Sequence, residues 1–374
     1  MLSIFIPQET LEDIVINNMA SDTKPEDQDV WFKIFTKQKV IFVSSWEKKR
    51  YYLNDPEEDP LIRLSNAYGV KVLYATQFIE DIPLNHRLVT NYWNGIYLLD
   101  ISPEDAAEIQ RDYGVICQPT NQMDASVLMD PGLRFSFKEG PTKYYWDKIL
   151  ENISFKHYPS NRLILIDRYL FAGEGSLENV LDNIFDIMDN MLPIHKIIGA
   201  YKVTLIIARP KEGDSYPLST IAENVYRLVP DLARPYPINI EILYLTNKSC
   251  LFPFTHNRCI MTNYTITQVD HMLNAFENIN DENGNTIRKS RCLQSIVPQG
   301  LFTPMGLNDK CDSPHEIHHY LMSAIYSYLF KGEKKSKSST PKCIYAYNGK
   351  IMNISNKYET KRIYGRWLLT EKDI

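Results

Sequence analysis

The sequence predicts an α/β protein of more than one domain, and three observations carry that prediction. Short apolar runs of buried-strand type alternate with segments of helical periodicity, the pattern of a mostly parallel sheet flanked by helices. A stretch rich in turn residues, 121–142 with Asp130-Pro131-Gly132 and Gly140-Pro141, reads as a joint. The length of 374 residues, at about 150 residues per domain, gives room for two cores. Apolar residues at 44% and charged residues at 23% exclude disordered and fibrous classes. No uninterrupted apolar run reaches the length of a membrane span and the start lacks a basic region, so a cytoplasmic chain without membrane contact is expected.

Residues 1–130 are read as the first domain. VIFVSS (40–45), VKVLYA (70–75), IYLLD (96–100) and VIC (115–117) are its strands. The clearest helix is SPEDAAEIQRDYG: Ser102 caps it, Pro103 suits its first turn, Glu104 and Asp105 favour the positive end, and Gly114 stops it. This alternation predicts a Rossmannoid sheet. No Gly-rich loop follows any of the strands, so a nucleotide fingerprint is absent and no cofactor is expected. Carboxylates at strand ends and loops (Asp55, Glu57, Glu58, Asp59, Asp100, Asp124) would suit a divalent metal, as in PIN-like nucleases. Helix capping and dipole complementarity explain most of them, and no metal is expected.

Residues 131–330 form the second series. TKYYWDKILENI is a helix, and NRLILIDRYLF holds a strand over 163–166 that ends in Asp167 and Arg168. Ser176 opens a strongly amphipathic helix, with Leu177, Val180, Leu181, Ile184, Ile187, Met188 and Met191 on one stripe. VTLIIA is the next strand, LSTIAENVYRLV a helix and INIEILYL a strand. HNRCIMTNY (256–264) follows closely enough to run antiparallel. The polar stretch 280–291, with its Asn-Gly-Asn signal, reads as a loop. A helix over 313–330 precedes a basic linker and C-terminal strands (331–374), including 344–347 and 363–369. From Lys331 onward there are 11 basic and 4 acidic residues, a charge of +7 against −12 for the rest, which admits an anionic partner for this end.

The six cysteines lack any C-x-x-C pair and read as reduced thiols. His315-Glu316-Ile317-His318-His319 satisfies H-E-x-x-H formally, which would let His315 and His319 chelate zinc while Glu316 polarises water. Pro314 puts the string in a first helical turn and no third ligand stands at a suitable spacing, so no zinc is expected there.

The strand and helix order of residues 143–330, together with ILIDRYLF, EILYL and HNRCIMTNY, resembles the phospholipase D-like fold. That family carries H-x-K followed by four residues and Asp, with the His attacking phosphorus and the Lys neutralising phosphate. Here His256 and Arg258 hold the H-x-K spacing with Arg for Lys, and Asn263 stands where the family has Asp. Arg remains a good phosphate ligand, while the missing Asp removes support for histidine chemistry. The resemblance implies a phosphodiester-recognising protein that binds, or cleaves, nucleic acid. Arg258 would be the phosphate ligand, His256 a second ligand or nucleophile, and Asp167 with Arg168 a supporting pair. Frequent Ile, Asn, Lys and Tyr point to an AT-rich genome, hence to a bacterial accessory protein of a mobile-element or defence locus. The alternative is a non-catalytic subunit that scaffolds other proteins, with the zinc hydrolase third.

Overall fold

The structure is a computed structural model that describes residues 2–20, 26–44, 58–128, 135–137, 143–154, 156, 158–171, 176–208, 216–245, 258–269, 273–290, 294–302, 316, 318, 342–347 and 350–354. It is of the α/β class and divides into two units, Met1–Val127 and Leu128–Leu368.

The first unit contains β1 (Ser3–Pro7), α1 (Gln8–Ala20), α2 (Glu26–Thr36), β2 (Val40–Ser44), α3 (Pro60–Tyr68), β3 (Lys71–Tyr74), α4 (Thr76–Asp81), β4 (Gly95–Leu99), α5 (Pro103–Tyr113) and β5 (Ile116–Pro119). Its five strands are parallel in the order β3-β2-β1-β4-β5. A parallel sheet covered on both faces needs continuous apolar runs, and every residue of β2 and β4 is buried. Register aligns Phe5 with Phe42 and Tyr97, so the three rings stack across the central strands at 5.0 and 4.9 Å. Gly95 is required beside them, because a Cβ there would lie 2.5 Å from the Tyr97 ring. Around α5 the expected signals act as read: Ser102 Oγ accepts from the Asp105 amide at 3.0 Å, and Gly114 closes the helix at φ 61°. The central strand β1 has no counterpart among the expected strands.

The second unit contains β6 (Phe135–Phe137), α6 (Lys143–Ile153), β7 (Arg162–Ile166), α7 (Leu177–Met191), β8 (Tyr201–Ala208), α8 (Leu218–Asp231), β9 (Ile238–Leu245), β10 (Cys259–Met261), β11 (Thr265–Val269), β12 (Phe276–Asn280), β13 (Thr286–Ser290), β14 (Gln294–Gly300), β15 (Lys342–Tyr347) and β16 (Lys350–Ile354). Among the described residues nine strands form one mixed sheet in the order β16-β15-β9-β8-β7-β10-β11-β14-β6. Strands β7, β8 and β9 run parallel, because helices α7 and α8 supply their crossovers, and the other pairings are antiparallel. The stripe of α7 packs with α6 and α8 on one sheet face, meeting Leu163, Leu165, Val203, Leu205, Ile240, Ile242 and Ile260. The alternate residues of these strands face the other way.

One expectation changes here. The stretch 280–291 is largely a hairpin rather than a loop: β12 and β13 pair antiparallel, and Asp281 closes the turn by accepting from the amides of Asn283 and Asn285. Strand β15 pairs with β9, so residues 342–347 belong to the main sheet. The expected strand 363–369 and the Lys331 linker lie outside the described residues. Of the expected helix 313–330, Glu316 and His318 are described, and both have helical backbone.

Candidate functional site

Strand β7 organises the polar chemistry of the second unit, with one group of residues at each end. At its carboxyl end the ladder continues one residue further, the Asp167 amide donating to the Ile206 carbonyl at 3.1 Å. This leaves the Asp167 side chain 0% exposed. Its carboxylate is held by two backbone donors, the Tyr169 amide to Oδ1 and the Leu273 amide to Oδ2, each at 2.8 Å. The register of β10 on β7 sets Cys259 opposite Ile166 and so brings the preceding Arg258 to Asp167. Arg258 Nε lies 3.7 Å from Asp167 Oδ1.

Burial pushes the Asp167 pKa above the usual carboxylate range. The two amides and then Arg258 oppose this without cancelling it. Burial, with Asp167 adding to it, pushes the neighbouring Cys259 thiol up to about 12, so this cysteine is no thiolate nucleophile at neutral pH. Beside Arg258 stands an aromatic ring shared by two cations: the guanidinium carbons of Arg168 and Arg258 lie 5.2 and 5.4 Å from the Tyr169 centroid. Arg258 keeps 20% of its side chain exposed and Tyr169 is 39% exposed, so solvent reaches this end of the strand. His256, the expected second ligand or nucleophile, lies outside the described residues.

Asn263 is not part of this group. It sits in the β10–β11 turn at the other end of β7, where the Asn161 amide donates to its Oδ1 at 3.1 Å and its Nδ2 donates to Asn161 Oδ1 at 2.9 Å. Arg258 and Asn263 flank β10 on opposite sides, one before Cys259 and the other in the turn after Met261. Both polar groups of the buried Asn263 side chain thus meet Asn161.

The amino end of β7 holds a second charged cluster that no sequence motif marks. Arg162, Lys202 and Glu241 come from three adjacent parallel strands and are 1%, 2% and 0% exposed. They lie on the sheet face opposite the helices, alternating with Leu163, Val203, Ile240 and Ile242. Lys202 forms an ion pair with Glu241; Thr204 donates to Glu241 Oε2 at 3.2 Å, and Arg162 donates to Thr204 at 3.4 Å. The signal that could have found them is a charge breaking an apolar run, as Lys202 does before VTLII and Glu241 does between two isoleucines.

In the first unit the carboxylates behave as turn and cap groups. Asp59 Oδ1 accepts from the amides of Leu61 and Ile62 at the start of α3, and Asp124 accepts from the amide and hydroxyl of Ser126. Glu58 and Asp100 are exposed, and Asp55 and Glu57 lie outside the described residues. Among the described residues no group of three His, Cys, Asp or Glu side chains is placed to hold a metal ion. His315 and His319 lie outside them; Glu316 is exposed, and the buried His318 ring contacts the Thr262 carbonyl at 3.3 Å. No helix among the described residues is long and apolar enough to cross a membrane. No protein-family model matches the chain, and no curated protein matches it.

Proposed function

We propose that the second unit recognises phosphodiester groups at the carboxyl end of β7, with Arg258 as the phosphate ligand and Arg168 beside it. The observation that carries this reading is the placement of Arg258: a partly exposed guanidinium held between the buried Asp167, 3.7 Å from its Nε, and the Tyr169 ring, 5.4 Å from its central carbon. An arginine held in this way loses little side-chain freedom on meeting an anion, and its planar fork suits a phosphate. Position supports the reading as well. In open α/β sheets ligands bind outside the carboxyl ends of the parallel strands, and the amino end of α7, capped by Ser176, begins from this same edge.

Asp167 is the anchor of this arrangement rather than an acid or base. Each of its oxygens already accepts a backbone hydrogen bond, and solvent does not reach it. The chemistry on offer is therefore charge recognition, consistent with the phospholipase D-like resemblance in its binding form. Nucleic acid is the phosphodiester polymer we infer.

Fluorescence anisotropy with labelled single-stranded and duplex DNA and RNA at low and physiological salt tests this. Arg258→Ala should weaken binding by about 1–3 kcal/mol, the value of a charge-assisted hydrogen bond. It should also flatten the dependence of log K on log salt by about one unit for each phosphate that the side chain neutralises. Absence of binding to all four polymers at low salt would overturn the proposal and leave the scaffold reading in its place.

A further inference from the structure

We propose that Tyr169, with Arg168 and Arg258 around its ring, is a stacking platform for an unpaired nucleobase, which makes the ligand a single strand rather than a duplex. The inference rests on the phosphodiester reading above and extends it from the phosphate to the base. Two guanidinium groups lie within 5.4 Å of one ring centroid. Their mutual repulsion is offset by the ring's negative faces and, for Arg258, by Asp167 below. Two arginines against one carboxylate leave the cluster a net positive charge, and a simple anion would need only the arginines.

The ring is what a simple anion does not explain. Tyr169 is the second residue after a buried carboxylate, and its amide is tied to that carboxylate at 2.8 Å, so the backbone beneath the ring is fixed. A tyrosine on a fixed backbone that nevertheless stays 39% exposed, beside two cations at a strand's carboxyl end, presents an aromatic surface to solvent. Single strands are held by this combination: cationic groups follow the backbone while aromatic side chains take the bases. A duplex keeps its bases stacked inside and offers the ring nothing, so its affinity would come from the arginines alone.

The test compares three labelled probes by anisotropy on the full chain at low salt: an oligothymidylate of about twenty nucleotides, longer than common single-strand site sizes, a duplex of the same length, and an abasic single strand with the same phosphates. The expected order is oligothymidylate tightest, with Tyr169→Ala weakening it about tenfold. Tyr169→Phe should stay close to wild type with every probe, and Tyr169→Ala should weaken the abasic strand far less than the oligothymidylate, only by what Arg258 loses with the ring beside it. Quenching of 2-aminopurine placed within the oligothymidylate gives a second readout. It should accompany binding by the wild type and vanish in Tyr169→Ala, which an altered fold measured by circular dichroism would not mimic. Equal affinity for all three probes, with Tyr169→Ala silent and Arg258→Ala weakening each alike, would overturn the platform and keep the phosphate reading. No binding of any probe by the wild type would overturn both.

Discussion

The two ends of β7 carry similar residues and opposite physics. At the amino end Arg162, Lys202 and Glu241 are sealed from water, and Asn161 and Asn263 exchange hydrogen bonds with each other. At the carboxyl end Asp167 is sealed, while its neighbours Arg258 and Tyr169 reach solvent. The difference is the reason the proposed anion site is put at the carboxyl end. Buried charge must be met by partners inside the protein, and once met has little left to offer. A cation that is paired with a carboxylate yet still reaches solvent, as Arg258 is, keeps capacity for a visiting anion.

Breaking the sealed end should give the largest effect. Glu241→Leu removes the counter-charge of Lys202 and the acceptor of the Thr204 hydroxyl. Loss of one partner from a buried pair costs about 3–5 kcal/mol, and replacing both by apolar residues of similar size is often neutral or stabilising. Urea denaturation should therefore show a large fall for Glu241→Leu and a recovery for Lys202→Met combined with Glu241→Leu. A single variant within about 1 kcal/mol of wild type would place this cluster with exposed ion pairs and erase the contrast between the ends.

A smaller effect sharpens the same contrast. Asn263→Ala strips the Asn161 amide and side chain of their partner, which should cost about 1–3 kcal/mol for buried groups left unsatisfied. Its anisotropy titrations should match wild type, because the residue lies at the end of β7 away from Arg258. The converse holds for Arg258→Ala: weakened binding, with a stability loss smaller than that of Glu241→Leu, because two backbone amides go on holding the buried Asp167 carboxylate. Exchange of these two phenotypes would put the anion site at the wrong end of the strand.

This contrast is half legible in the sequence. Asp167 and Arg258 each border a clear apolar run, and the pairing of β10 with β7 makes those runs neighbours. Asn263 groups with Arg258 only because a motif fixes spacing along the chain. In extended backbone that spacing separates residues rather than gathering them. The buried trio escapes notice because period-two alternation, read strand by strand, treats a lone Lys202 or Glu241 as a flaw in an apolar run; only pairing register shows that the flaws coincide. Pairing also decides β1, a five-residue run near the start that becomes the centre of a sheet only through partners distant in sequence. The hairpin β12–β13 is hidden by polarity. Most of its residues are not fully buried, so nothing selects the apolar alternation that marks a strand.

The smallest expected effect separates the two ends by pH. Burial outweighs the two amides and Arg258 at Asp167, so its folded pKa stands above the ordinary value of 3.8. In the interval between those two values the native state binds more protons than the unfolded chain. Stability contributed by this group therefore rises as pH falls through the folded pKa, is fully present below the unfolded value, and is lost as pH climbs back. Asp167→Asn removes the titration, at the cost of turning an amide donor toward one of two backbone donors. Urea denaturation of both proteins from neutral pH down to about pH 4, near the carboxylate reference values, should show the wild-type advantage widening on acidification. The difference between wild type and Asn263→Ala should stay flat over the same range, since neither amide takes up a proton. An advantage that narrows instead would mean that the ion pair with Arg258, not burial, governs Asp167. The carboxyl end would then hold its charge as tightly as the amino end does, and Arg258 would be committed to the fold.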